Sequence, residues 1–277
     1  MMQAPPMSRA IEQRTNRDGF VKPGELIDIR GGTELSLQDR RIFNLLVQNA
    51  WLEIAEDKEH KIAIAKLRGS RHKGSERVSE SIDRLMTTLV KMPTTLNGEP
   101  AMTTTLLVVD TTQTIDEDSP NAILLYNFPK KMREIISNSR YWGRVKAYVM
   151  FAFSSKYALA LYEAVCLRGN LRTGEQMLTV EALRDLLAVE KSKYPAFPQL
   201  KQRVIDAAVL EVNALSDFNV EIEAIREGGM QRGTLTGFRL SWSKKGNEEW
   251  QAVLDELLRP KVGRKARIAG KVEHVAA

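Results

Sequence analysis

The sequence has only one cysteine, Cys166, and three histidines, at positions 60, 72 and 274. A single cysteine cannot form a disulfide within the chain, and this usage fits a reducing cytoplasm. The histidines do not have a metal-ligand spacing, and no Gly-rich loop ends in Lys-Ser or Lys-Thr. We therefore expect neither a metal nor another cofactor, and no ATP hydrolysis.

Long apolar runs are also missing. The run at 147–153 is far shorter than the roughly 20 apolar residues that cross a bilayer. The N-terminal residues do not contain the apolar core of a signal peptide. These features predict a cytoplasmic protein that is neither secreted nor inserted in a membrane.

Basic residues are in excess, with 41 Lys and Arg against 35 Asp and Glu in 277 residues. A net charge of +6 favours polyanionic partners through long-range attraction. Hydrophobic residues make up 43% of the chain, which is typical of globular proteins. The length suggests two domains.

The second half has a clear order of elements. Ser154 or Ser155 can cap a first helix that runs to about 167, and Thr179 can cap a second at 180–187. A long third helix follows at 198–215, with apolar residues four apart. Strands at 218–225 and 235–242 flank a polar, Gly-rich loop, and a helix at 248–258 closes the pattern. This is the order of a winged helix, in which the third helix reads DNA and the loop forms the wing.

The first half gives a looser version of the same order. A capping box at Ser36 begins a helix at 37–55, and a second helix spans 75–90. The remaining elements are strands at 102–109 and 122–128, paired as a hairpin, a short helix from 129 to 136, and a strand at 148–153. The predicted fold class is α+β, with two winged-helix domains in tandem at 34–150 and 151–258. Residues 1–33 read as a flexible arm, and 259–277 as a basic, disordered tail.

Five segments of the second half resemble a known family. They are SKYALALYE at 155–163, LTVEALR at 178–184, YPAFPQLKQRVI at 194–205, EVN at 211–213 and SDFNVE at 216–221. In this order they resemble the plasmid replication initiators that bind iterons, the short direct repeats of an origin. The resemblance implies two winged-helix domains, origin opening and recruitment of host initiator and helicase proteins. It also implies a monomer that initiates replication, in equilibrium with a homodimer that represses its own gene.

The main predicted DNA-binding residues belong to the third helix of the second domain and the turn before it. Arg203, Gln199 and Gln202 are suited to base edges in the major groove. Lys193 and Lys201 are predicted to contact phosphates, which position a protein without specifying sequence. Two arginines of the wing, Arg226 and Arg232, flank adjacent glycines and are predicted phosphate contacts.

The first domain is predicted to contribute a second DNA contact through its basic stretch, and a dimer interface through its hairpin. The DNA contacts would come from Arg68, Arg71, Lys73 and Arg77. Because the family dimerises through its first domain and unpaired strand edges invite pairing, we assign the interface to the apolar hairpin. Its residues are Leu106, Leu107, Val108, Leu124 and Leu125. The acidic cluster at 116–118 reads as a solvated turn.

The sequence therefore predicts a replication initiator that binds double-stranded DNA at origin iterons and at its own operator, and that is not an enzyme. A winged-helix transcriptional repressor without initiator activity is the first alternative. A nicking replication enzyme is the second, although it would need a paired-histidine metal site beside a nucleophilic tyrosine.

Overall fold

The computed structural model describes residues 8–68, 77–171, 173–229 and 233–271. The chain divides into two compact units, 1–147 and 148–277. The division falls slightly before the predicted boundary at 150, within a helix at Ala147–Ala152 where the sequence predicted a strand.

The elements of the first unit are β1 (Phe20–Pro23), α1 (Gly24–Ile27), β2 (Arg30–Gly31), α2 (Leu37–Ala50), β3 (His60–Ala63), α3 (Ile64–Leu67), α4 (Val78–Thr87), β4 (Val90–Leu96), β5 (Glu99–Thr105), β6 (Val109–Gln113), β7 (Ile123–Asn127), α5 (Lys130–Asn138) and β8 (Trp142–Val145). They form three antiparallel sheets, with strand orders β1-β8, β2-β4-β5 and β3-β7-β6. Helices α2 and α4 pack over a core that includes Leu46, Ile82, Leu85 and Leu124.

Helix α2 begins at the predicted capping box. The Ser36 hydroxyl accepts a hydrogen bond from the Asp39 amide at 3.1 Å, and the Asp39 carboxylate accepts one from the Ser36 amide at 2.8 Å. Arg84 of α4 also donates two hydrogen bonds to this buried carboxylate, each at 2.9 Å. Asp39 thus starts one helix and fastens a second helix to it.

The predicted hairpin between 102–109 and 122–128 is wrong. Residues 99–105 pair with β4, while β7 lies between β3 and β6. The apolar residues at 106–108 join two different sheets, so one continuous β-prone run contains parts of two strands. Leu107, Val108 and Leu124 are buried in the core of the first unit, whereas Leu106 and Leu125 are partly exposed.

The predicted arm is also wrong for residues 8–33, which are built into the first unit. Ala10, Val21 and Leu26 are buried in the core, and Phe20 to Pro23 pair with β8. The Trp51 indole donates to the carbonyl of Gln13 at 2.8 Å. Prolines and glycines begin and end the short elements of this segment. The segments that pair with it, such as β8, are far away in the sequence, so no local periodicity reveals the pairing.

The second unit begins within α6 (Ala147–Ala152) and continues with α7 (Lys156–Arg168), β9 (Glu175–Leu178), α8 (Val180–Leu186), α9 (Phe197–Leu200), a π-helical turn (Lys201–Ile205), α10 (Asp206–Leu215), β10 (Phe218–Arg226), β11 (Leu235–Lys244), α11 (Asn247–Leu258) and α12 (Arg264–Ile268). The predicted caps are confirmed, because Ser155 accepts from the Tyr157 amide and Thr179 from the Ala182 amide.

The sheet of the second unit has the order β10-β11-β9, all antiparallel. Strand β9, which lies just before α8, was not predicted from the sequence. Gly237 of β11 permits the close approach of this strand, since a Cβ there would lie 2.6 Å from the carbonyl oxygen of Leu178. The unit therefore has the element order of a winged helix, which is α7, β9, α8, the helix formed by α9 and α10, and then the β10-β11 hairpin.

The predicted disordered tail is wrong for residues 259–271. Arg267 forms an ion pair with Glu256 of α11 at 2.8 Å. The Arg264 guanidinium donates to the carbonyls of Glu256 and Leu257 at 3.2 and 3.1 Å, and its side chain is 8% exposed. Arg264 and Arg267, which were predicted to lie in a disordered basic tail, therefore hold α12 against the C-terminal end of α11.

Candidate nucleic-acid interface

The turn between α8 and α9 is held by one arginine that sequence reasoning missed. The Arg184 guanidinium donates to the carbonyls of Tyr194, Glu190 and Lys193 at 3.1, 2.9 and 2.6 Å. A fourth donor contact reaches the carbonyl of Lys191 at 3.4 Å. Tyr194 has a φ of +52°, in the left-handed region, so the chain turns sharply just before α9.

The helix after this turn presents a polar outer face near its beginning. Leu200, Val204 and Ala208 are buried on the inner side, as the spacing of four predicted. Four of the predicted contacts are exposed on the outer side, namely Gln199, Lys201, Gln202 and Arg203. A helix of this kind, with polar side chains in its first turns, fits the major groove.

The structure modifies in two ways the helix that was predicted to read DNA, called the reading helix below, which consists of α9, the π-helical turn and α10. Its second turn is π-helical over Lys201–Ile205, a local widening that is common at functional sites. Lys201 is also engaged within the chain, because its ammonium lies 2.7 Å from a carboxylate oxygen of Asp206. A phosphate contact by Lys201 would therefore compete with this exposed ion pair.

Lys193 stands beside an acidic residue at the edge of the same face. Its ammonium lies 2.7 Å from the Glu190 carboxylate, and the Lys156 ammonium lies 3.4 Å from the same oxygen. The hydrogen bond from Lys193 lowers the pKa of Glu190, so the carboxylate is charged at neutral pH. The positive charges of Lys193 and Lys156 are thus partly balanced by Glu190 within the chain.

The wing is the β10-β11 hairpin, and Arg226 lies at its base. The Arg226 guanidinium donates to the Gly233 carbonyl at 2.7 Å and lies 5.1 Å from the centre of the Phe197 ring. Arg226 therefore fastens the wing to the start of the reading helix, a structural role that the sequence did not predict. Arg232 lies outside the described residues.

In the first unit, the basic stretch and the acidic cluster meet at the start of α4. The Glu117 carboxylate accepts hydrogen bonds from the amides of Val78 and Ser79 at 3.1 and 2.8 Å. Arg68 lies 2.6 Å from Asp118 and 3.5 Å from Glu117. Burial alone would raise the pKa of Glu117, but the hydrogen bonds from Ser79, Val78 and Arg68 lower it. Glu117 is therefore a helix cap and not a solvated turn residue.

The other predicted contacts of the first unit are less constrained by the structure. Arg77 precedes α4 and is exposed. Arg71 and Lys73 lie outside the described residues. Among the described residues, no group of His, Cys, Asp and Glu side chains could hold a metal ion, and no helix is long and apolar enough to cross a membrane. Cys166 is buried in α7.

Comparison with known proteins agrees with this architecture. Residues 20–166 match the family model described as Initiator Replication protein, WH1, and residues 179–242 match the model described as Initiator Rep protein, WH2. The first match begins at β1, inside the segment that the sequence presented as an arm. No curated protein matches the chain.

A solved structure shares the fold. The chain is similar to the Pi initiator protein, whose crystal structure contains iteron DNA, with 16% sequence identity and a TM-score of 0.55. The alignment covers 82% of this chain and 97% of the other. The predicted fold of two winged-helix domains is thereby confirmed.

Proposed function

The chain belongs to the initiator Rep family of plasmid replication proteins, and on that premise we propose that it binds direct repeats at its origin through the second domain. The observation that carries this proposal is the exposed set Gln199, Gln202 and Arg203 at the start of a helix that Arg184 and Arg226 hold in place. We propose that this face enters the major groove of each repeat. Lys193 and Lys201 would meet phosphates beside it.

The further steps of initiation extend the same proposal. Binding of several copies to adjacent repeats would strain and open the neighbouring duplex, and bound copies would recruit the host initiator and helicase. Binding to an operator at its own gene would repress it. We propose that the chain does this in the cytoplasm without an enzymatic step of its own. The match to initiator replication protein domains supports a role in initiation, and the further steps are proposals that extend it.

The test is footprinting of the purified chain on DNA that carries the direct repeats beside its gene. A scrambled fragment of equal length serves as the control, at two salt concentrations, because contacts with phosphates weaken as salt rises. We expect protection repeated at the repeat spacing. Equal, weak binding to both fragments would contradict the proposal.

Arg203 provides the sharpest test of base reading. We expect Arg203→Ala to lower affinity for the repeat by about 1–3 kcal/mol, since Arg matches the paired acceptors of guanine. Titration against repeats with single base changes should then show relaxed specificity at one position. Equal losses on repeat and scrambled DNA would leave Arg203 as a phosphate contact only.

A winged-helix repressor is the second candidate, because the same face of the reading helix could bind an operator in a protein that has no role in replication. Plasmid maintenance separates the two, since a chain that only represses cannot sustain a plasmid that lacks its initiator. A nicking enzyme would cleave one strand of supercoiled origin DNA in the presence of a divalent metal. We expect no cleavage.

Dimerisation is also proposed, now at a different part of the first domain from that inferred from sequence. Leu107, Val108 and Leu124 are buried, so a contact made by them would first have to open the core. Strand β5 is an edge of its sheet and pairs only with β4 among the described strands. Met102 of β5 is 43% exposed. We propose that this edge, with the adjacent Leu106, forms the interface.

Met102→Lys tests the edge, because a lysine on an edge strand discourages pairing with another chain. We expect the mass in solution to shift from dimer towards monomer with little change in stability, as measured by sedimentation and urea unfolding. Leu52→Lys, at a residue 68% exposed outside any strand, is the matched control. An unchanged dimer fraction for Met102→Lys would contradict the interface.

A further inference from the structure

An apolar groove lies in the second domain, away from the reading helix. It has a volume of about 600 Å³ between α6 and the C-terminal part of α11. Its floor includes Tyr148, Phe151, Leu254 and Leu258. Leu258 is 86% exposed and Tyr148 is 50% exposed, so these apolar side chains face water.

The two helices explain why this floor exists. Helix α6 turns Val149 and Met150 into the core, which leaves Tyr148 and Phe151 on its outer side. In α11 only Val253 is buried, although the helix also contains three leucines. Leu254 and Leu258 are four residues apart and therefore share a face that borders the groove. The Val253 side of α11 therefore packs into the core, whereas the side with Leu254 and Leu258 does not.

The rim of the groove is basic. Arg259 and Lys261 are exposed there, Arg264 lines the groove from a buried position, and none of the ten lining residues is acidic. Arg264 and Arg259 are partly neutralised by Glu256, at 3.5 Å from each. Lys261 is exposed at the open side. An exposed apolar patch with a polar rim marks an interaction site more often than chance.

We propose that this groove is a docking site for a short amphipathic helix of another protein, with apolar residues one turn apart and Asp or Glu beside them. The apolar residues would fill the floor, in the manner of helix-in-groove recognition. The carboxylates would face Lys261 and Arg259. A DNA duplex fits less well, because its phosphates could meet the rim but would leave the apolar floor in water.

The proposal is tested by selecting peptides from a displayed library of random helical sequences on the intact protein. Enriched peptides are expected to carry apolar residues at positions three or four apart together with a net negative charge, and to bind with a Kd on the order of micromolar. The double variant Leu258→Glu, Lys261→Glu should bind them at least roughly tenfold more weakly. The matched control is Leu171→Glu, Lys244→Glu, since neither residue lines the groove.

Several results would overturn the docking site. The first is that no peptide is enriched, and the second is that the enriched peptides lack apolar or acidic residues. The third is that the groove variant binds the peptides as tightly as the unchanged protein does. Loss of repeat binding in the groove variant would assign the surface to DNA, and a change in its mass would assign it to a second copy of the chain. Peptide binding by a chain that fails on the repeats would instead retain the groove and reject the proposed function.

Discussion

Arg184→Ala is expected to lower the discrimination between repeat and scrambled DNA by about 100-fold, although Arg184 itself is not proposed to touch DNA. Its guanidinium holds the carbonyls of the turn that aims the reading helix, including those of Glu190, Lys193 and Tyr194. Without it, the three side chains proposed to read bases would be misplaced together, and each good base contact is worth about 1–3 kcal/mol. Unfolding should also become easier by about 2–3 kcal/mol, because hydrogen bonds to a charged group are lost.

Competition binding at fixed salt measures this effect, and urea unfolding measures the stability. Arg184→Lys is the matched control, because it retains the charge but not the planar fork, and it should fall between the wild type and Ala. The salt dependence of non-specific binding should be unchanged in all three, since the guanidinium faces carbonyls. Preserved specificity in Arg184→Ala would show that the turn holds its shape without this side chain.

Asp39→Asn is expected to destabilise the first domain by about 3 kcal/mol. The carboxylate is fully buried, and it both completes the cap of α2 and receives two hydrogen bonds from Arg84. Loss of one partner from a buried pair typically costs about 3–5 kcal/mol, and the 37% exposure of the Arg84 side chain places the effect at the lower end. Asp83→Asn on α4 makes the same chemical change at an exposed site and should alter stability by less than about 0.5 kcal/mol.

We also expect the loss of stability in Asp39→Asn to depend on pH. Burial alone would raise the pKa of the Asp39 carboxyl, but hydrogen bonds from Arg84, Ser81 and Ser36 outweigh burial and lower the pKa below its usual value. A carboxyl with a lowered pKa in the folded state stabilises the protein above its ordinary pKa, and the contribution is lost as pH falls through the folded value. The difference in unfolding free energy between the wild type and Asp39→Asn should therefore shrink in acid. A constant difference would mean that Asp39 acts by shape and not by charge.

Elements that are marked by a local signal were predictable from the sequence. Ser36, Ser155 and Thr179 each cap the helix that their spacing predicted, because capping involves residues only two or three positions apart. The spacing of four in the reading helix likewise predicted which side is buried. The outward residues Gln199, Gln202 and Arg203 follow from the same periodicity.

Pairing between distant segments was not predictable in this way. Strand β1 is four residues long, β9 is equally short, and each gains its partner from a remote part of the chain. The 102–109 run was misread because β-propensity does not show where one strand ends and the next begins. A strand was also predicted at 148–153, where apolar residues face both the core and the groove, so the helical period was hidden.

The positioning residues were missed for a related reason. Glu117 caps a helix that begins about 40 residues earlier in the chain, so no capping pattern links the two. Arg184 reaches carbonyls of a turn, and carbonyls are present at every position in a sequence. Arg226 looked like a phosphate contact because charge in a Gly-rich loop suggests one, whereas its partners are a carbonyl and a ring.

The pairing of β1 with β8 also has a consequence for how the chain is made. Phe20 pairs with Val145, so the first strand of the domain leaves the ribosome long before its partner does. Phe20 and Val21 are buried in the folded domain, and because domains fold during synthesis from the N-terminal side, we expect both side chains to stay exposed until β8 has emerged. A nascent chain stopped before β8 would keep an unpaired apolar strand, which makes it a substrate for chaperones and a source of aggregation.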